Sequence, residues 1–261
     1  MVTTAVHDRL ARAPQTWVYV VAGAAIVLLV ANHVAGSMPH PVAAPDHHAH
    51  GHHMPGAPMP DQAANTLAST WLWWTVMAVA MMFPLAAAGA RRIALASLWR
   101  RRHLAIGEYL VGYLSVWAIA GLVAIVAVTA GWPDGAPPQA VPVALLIAAL
   151  WQVYPVRRRA LARCRGSGFV NVRGWRADRD CVADGWNYGT KCLLTCGPVM
   201  AVMAVGHSLI VMACVTVLLL TERARGPNPA QRAGRPLEAV ALVALAGAVY
   251  VWGLSTEMPL P

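Results

Sequence analysis

The chain has 261 residues, is 58% hydrophobic and carries a formal net charge of +9, with a mean hydropathy of +0.52. That composition is too apolar for one or two soluble domains. Several apolar runs approach or exceed the ~20 residues that cross a ~30 Å hydrocarbon core, so the expected class is an all-α, polytopic transmembrane helical bundle. In such a chain the positive charge is not a sign of nucleic-acid binding, and no nucleic-acid partner is expected.

Seven spans can be drawn in chain order. Span 1 is about 17–36, "WVYVVAGAAIVLLVANHVAG", span 2 about 69–90, and span 3 about 109–131. Span 4 is about 139–156, spans 5 and 6 form a hairpin over about 185–221 with Gly206 offering a turn, and span 7 is about 237–254. Arg9 and Arg12, a moderate apolar stretch and the small residues Ala35, Gly36 and Ser37 also fit a signal peptide. Cleavage would leave six spans; an uncleaved anchor is the expectation. The organisation is therefore an anchor or signal-like span over 1–36, a loop over 37–68 and a six-span bundle over 69–261.

Charge placement sets the topology. Basic residues resist translocation and collect on cytoplasmic flanks. With seven spans all 20 Lys and Arg fall on one side, and segments 37–68, 132–138 and 255–261 contain none. The protein is thus expected in a bacterial inner membrane, with its N-terminus cytoplasmic and residues 37–68 extracytoplasmic. The loop is rich in Pro, Ala and His, a composition that cannot bury a core, and is expected to be disordered. Lys191 and Glu222 lie at matching depth on the two arms of the hairpin. A structural ion pair there would lower the cost of charge near hydrocarbon.

The loop also carries the first candidate chemistry. His47, His48, His50, His52 and His53 offer imidazole nitrogens, and Met54 adds a thioether. Such a cluster takes Cu(II), Ni(II) or Zn(II), with the thioether suiting Cu(I).

A second set lies on span 5, "KCLLTCGPVMAVMAVGH". Cys192, Cys196, Met200, Met203 and His207 recur at spacings of four, four, three and four, which puts them on one helical face. Met and Cys are ordinary apolar filler, but four soft sulfurs ending in an imidazole are chemically uniform. On span 2, Met77 and Met81 form an i, i+4 pair. At ~1.5 Å rise per residue, Met77 and Met81 lie about 10 and 17 Å below Thr70, level with Met200 and Cys196 below His207 if the helices are neighbours. Thioether and thiolate ligands select Cu(I).

Five segments carry a family resemblance: "WTVMAVAMMFP" (74–84), "GEYLVGYLSVW" (107–117), "YPVRRRALARCR" (154–165), "GWNYGTKCLLTCGPVM" (185–200) and "LLLTER" (218–223). In this order they resemble the bacterial "predicted metal-binding integral membrane protein" family, formerly a domain of unknown function. The resemblance implies copper supply to exported copper enzymes such as tyrosinases. That family carries Cys-x-x-Cys-Cys followed by Trp where this chain has Cys192, Thr195, Cys196 and Gly197. It carries Cys-x3-Cys-Arg where this chain has Ala160 and Cys164. The histidine loop lies outside the shared region.

The function expected is a membrane-embedded copper chaperone or copper-transfer protein, with Cu(I) in the bundle and Cu(I) or Cu(II) at the loop. Its partners would be the metal ion, the lipid bilayer and an exported or membrane copper enzyme. The alternatives are a Cu, Ni or Zn transporter and a membrane assembly subunit whose sulfurs only pack. No nucleophile–base set, outer carboxylate pair or cofactor motif is present, so an enzyme is not expected.

Overall fold

The computed structural model describes residues 13–35, 60–133, 136–137, 139–157, 174–206, 208–224 and 237–257. They form α1 (Thr16–Val34), α2 (Pro60–Ala96), a 3-10 turn (Trp99–Arg101), α3 (Arg102–Gly131), α4 (Ala140–Val153), α5 (Trp175–Val205), α6 (Leu209–Ala224) and α7 (Leu237–Glu257). Among the described residues there is no strand, and the all-α expectation holds.

A helix occurs at each expected span. Four of them, α1, α2, α3 and α5, are long and apolar enough to cross a membrane. The apolar parts of α4, α6 and α7 are shorter; the 14 residues of α4 rise only about 21 Å.

Two helices outrun their expected starts. α2 begins at Pro60, inside the segment read as disordered loop. Proline suits the first helical position, where its missing N–H would have had no intrahelical acceptor. α5 begins at Trp175, and its first ten residues are too polar for hydropathy to register as a span. The 5/6 hairpin turns at Gly206 as expected, where the backbone is extended (φ −153°, ψ 129°) and α5 ends. α4 stops at Tyr154 (ψ 136°), the residue before Pro155. A residue preceding proline is pushed out of the α region by the pyrrolidine ring. Helix resumes over 155–157.

The helices pack in the order α1, α2, α3, α5, α4, α7, with α6 touching α2, α5 and α7. α1 lays the stripe Val18, Ala22, Ala25 and Leu29 inward and packs on α2. Lipid is as apolar as a leucine side chain, so helix association in a bilayer rests on close packing rather than on hydrophobic transfer. The α3–α5 contact illustrates this. A methyl group at Gly112 would collide with the Val182 carbonyl oxygen, and one at Gly185 with the Tyr109 carbonyl oxygen. Each glycine admits the other helix's backbone.

Indole hydrogen bonds hold α2 to α3. Trp71 donates to the Ala118 carbonyl at 2.8 Å, and Trp74 to the Trp117 carbonyl at 3.1 Å. Where α2, α3 and α5 meet, three tyrosines cluster. The Tyr188 ring lies 6.0 Å from Tyr109 and 5.9 Å from Tyr113.

Candidate metal centre

The soft donors of α2 and α5 all point into the protein. Met77 and Met81 on α2, and Cys192, Cys196, Met200 and Met203 on α5, are each buried in one continuous core. The shared face predicted from their spacing is therefore the inward face of α5. His207 and Met54 lie outside the described residues, as do His47, His48, His50, His52 and His53.

α2 and α5 touch, and two contacts give their register. Near one end Met77 and Met203 line the same cleft. Further along, the Tyr188 hydroxyl donates to the Leu85 carbonyl at 3.4 Å. Met81 on α2, and Cys196 and Met200 on α5, lie along their helices between these two crossings.

Backbone chemistry opens α5 beside the cysteines. Pro198 lies inside the helix and has no N–H for the Leu194 carbonyl four residues earlier. That carbonyl accepts the Trp151 indole N–H of α4 instead, at 3.0 Å. Next to it, the Thr195 carbonyl accepts Nε of Arg157 at 3.1 Å. The Thr195 hydroxyl donates back to the Cys192 carbonyl at 3.0 Å and lies 3.6 Å from the Cys196 sulfur. The Tyr113 hydroxyl donates to the Cys192 sulfur at 3.2 Å. Cys192 is thus held in a polar shell within an apolar core.

The expected Lys191–Glu222 pair is corrected by the structure. Glu222 is bound by Arg157, whose Nη2 lies 2.7 Å from both carboxylate oxygens. The cause is local. The break at Tyr154 turns Arg157 over α5, and a guanidinium offers several donors in one plane. It meets a backbone carbonyl and a carboxylate together, which a lysine ammonium does less well. Arg157 is 5% exposed, so it acts as a structural residue rather than as one more basic flank charge. Other acids take arginines at the far end of α3 and α5. Arg101 contacts Asp178 and lies 3.2 Å from Glu108, and Arg92 lies 3.5 Å from Asp184.

The donor chemistry limits the ion. Among the described residues no group of three or more His, Cys, Asp and Glu side chains is arranged to hold a metal. The buried donors that the described helices do bring together are thioethers and thiols, which are soft. Thioethers and thiols fit Cu(I).

The family model described as PpoB2, copper chaperone, matches residues 71–250. The chain belongs to the PpoB2 copper chaperone family. No curated protein and no solved structure matches it. The PpoB2 match takes in α2 from Trp71 onward, α3 to α6 and most of α7. It contains Met77, Met81, Cys192, Cys196, Met200 and Met203, and leaves α1 and the histidine loop outside.

Sequence reasoning missed four participants. Trp151 donates to the Leu194 carbonyl that Pro198 leaves without its helical donor, and Arg157 donates to the Thr195 carbonyl beside it. His33 on α1 and Met212 on α6 line the same cleft as Met77 and Met203. Single residues on separate helices leave no periodic signal.

Proposed function

We propose that this PpoB2-family chain is a membrane-embedded chaperone that holds Cu(I) on sulfur within its bundle. It passes the ion to an exported or membrane copper enzyme on the extracytoplasmic side. The observation that carries this reading is the burial of Met77, Met81, Cys196 and Met200 in one core, within a copper chaperone family. Transfer is ligand exchange: one sulfur leaves as another binds, and no bond of an organic substrate changes. The histidine loop, at the extracytoplasmic side in the topology that charge placement favours, collects copper and raises its local concentration.

The alternative as a transporter draws support from the length of the α5 donor row, which runs along much of the helix and suits a relay. Copper flux into proteoliposomes separates the two, since a chaperone binds without net transport.

The binding reading itself is tested in the full chain with His47, His48, His50, His52 and His53 changed to Ser. Titration with Cu(I) against a chromogenic chelator should find at least one tightly held ion. Met77→Leu, Met81→Leu, Cys196→Ser and Met200→Leu together should remove it. An unchanged copper stoichiometry in that variant would leave the sulfurs as packing and the protein as an assembly subunit.

A further inference from the structure

A cleft of about 30 Å³ lies between α1, α2, α5 and α6. Its wall contains the thioethers of Met77, Met203 and Met212 and the imidazole of His33. The three methionines are buried, at 4%, 0% and 8% exposure, while His33 is exposed. Soft donors thus form the floor and a nitrogen donor sits at the rim. Among the described residues that line it, the only side-chain oxygen is the Ser208 hydroxyl and there is no carboxylate.

Each of these features narrows the ligand. A cavity needs roughly 10–15 Å³ of such volume for one water, so 30 Å³ has room for a single ion. Three thioethers with one imidazole are poor ligands for Mg, Ca or Zn, and match Cu(I), which is soft and accepts few ligands. The fold assembles the set from four places. Gly206 ends α5 in an extended conformation, so α6 folds back and Met212 reaches the cleft that Met203 lines. α1 brings His33 in its last turn, anchored by the buried stripe that ends at Leu29, which also lines the cleft.

We propose that this cleft is a Cu(I) entry site, liganded by Met203, Met212 and His33 together with Met77, which it shares with the inner set. It stands above the Cys192–Cys196 region and hands copper inward along α5. His33 lies on α1, outside the PpoB2 match at 71–250. The inference rests on the copper reading above and adds three ligands to it, Met203, Met212 and His33.

The test uses the full chain with the five loop histidines changed to Ser, titrated with Cu(I) and examined by X-ray absorption for sulfur and nitrogen neighbours. Met212→Leu should weaken binding of one copper at least tenfold, and Met212→Cys, which keeps a sulfur, should restore most of it. His33→Gln should remove the nitrogen contribution from that copper's spectrum. Cys192→Ser with Cys196→Ser should leave the thioether and imidazole signature in place. Methionine-to-leucine exchange conserves volume, and His33 is exposed, so the two variants read the site independently should one of them lower the melting temperature. If the five-His→Ser chain binds no Cu(I), the copper reading fails and the entry site with it. If that chain binds Cu(I) but Met212→Leu and His33→Gln change neither affinity nor spectrum, the entry site is overturned while the copper reading stands.

Discussion

One nitrogen of Arg157 lies 2.7 Å from both carboxylate oxygens of Glu222, and Nε of the same guanidinium donates to the Thr195 carbonyl of α5. The pair ties the end of α4 to α6 across α5. Removing one partner of a buried pair leaves an uncompensated charge, which costs about 3–5 kcal/mol. Arg157→Ala and Glu222→Ala should each destabilise the protein by roughly 3 kcal/mol in a detergent-unfolding titration. Lys191→Ala should leave the unfolding midpoint close to that of the parent. A large loss with Lys191→Ala and none with Arg157→Ala would reinstate the pairing expected from depth alone.

That outcome marks where sequence reasoning stops. Hydropathy located a helix at every expected span, because the requirement for ~20 apolar residues is local. The spacing of Cys192, Cys196, Met200 and Met203 placed them on one face, because helical periodicity is local too. Helix neighbours are tertiary facts. Arg157 looked like one of many flank arginines until the break before Pro155 aimed it at α5. His33 and Met212 each sit alone on their helices and acquire meaning only through the cleft. The early starts of α2 and α5 escaped notice because helices continue past the apolar part of a span.

Pro198 and Trp151 provide a second test. Trp151→Phe keeps a ring to stack on Tyr154, whose centroid lies 5.8 Å away, but loses the donor to the Leu194 carbonyl. An unsatisfied carbonyl in an apolar setting costs about 1–3 kcal/mol. Pro198→Ala restores a backbone N–H for that carbonyl. The cost of Trp151→Phe should therefore shrink by ~1 kcal/mol when Pro198→Ala is present. Additive effects in this double-mutant cycle would mean that the indole does not replace the missing N–H.

The glycines of α3 and α5 predict a packing defect. Gly112→Ala puts a methyl group onto the Val182 carbonyl oxygen, and Gly185→Ala puts one onto the Tyr109 carbonyl oxygen. Backbone cannot rotate away as a side chain can. Each change should cost about 1–3 kcal/mol through forced separation of the helices. Gly107→Ala meets no neighbouring atom within 4 Å, and should be neutral or slightly stabilising, since alanine is the better helix former. Equal stability of all three variants in the same unfolding titration would contradict the close approach.

The Tyr113 hydroxyl, 3.2 Å from the Cys192 sulfur, gives the copper site a pH signature. A cysteine binds Cu(I) as thiolate, so each thiol that ligates releases a proton and affinity rises with pH until the thiol ionises by itself. Thioethers release none. In the chain with the five loop histidines changed to Ser, Cu(I) affinity measured from pH 6 to 8 should climb by up to tenfold per pH unit for each cysteine engaged. Cys192→Ser with Cys196→Ser should flatten that slope. A hydroxyl that donates to the sulfur stabilises its thiolate, so Tyr113→Phe should weaken Cu(I) binding three- to tenfold, about 1 kcal/mol. It should do so without removing the slope, because Cys192 still deprotonates. Identical slopes in the parent and the double serine variant would exclude the cysteines as ligands and leave copper to the methionines and His33.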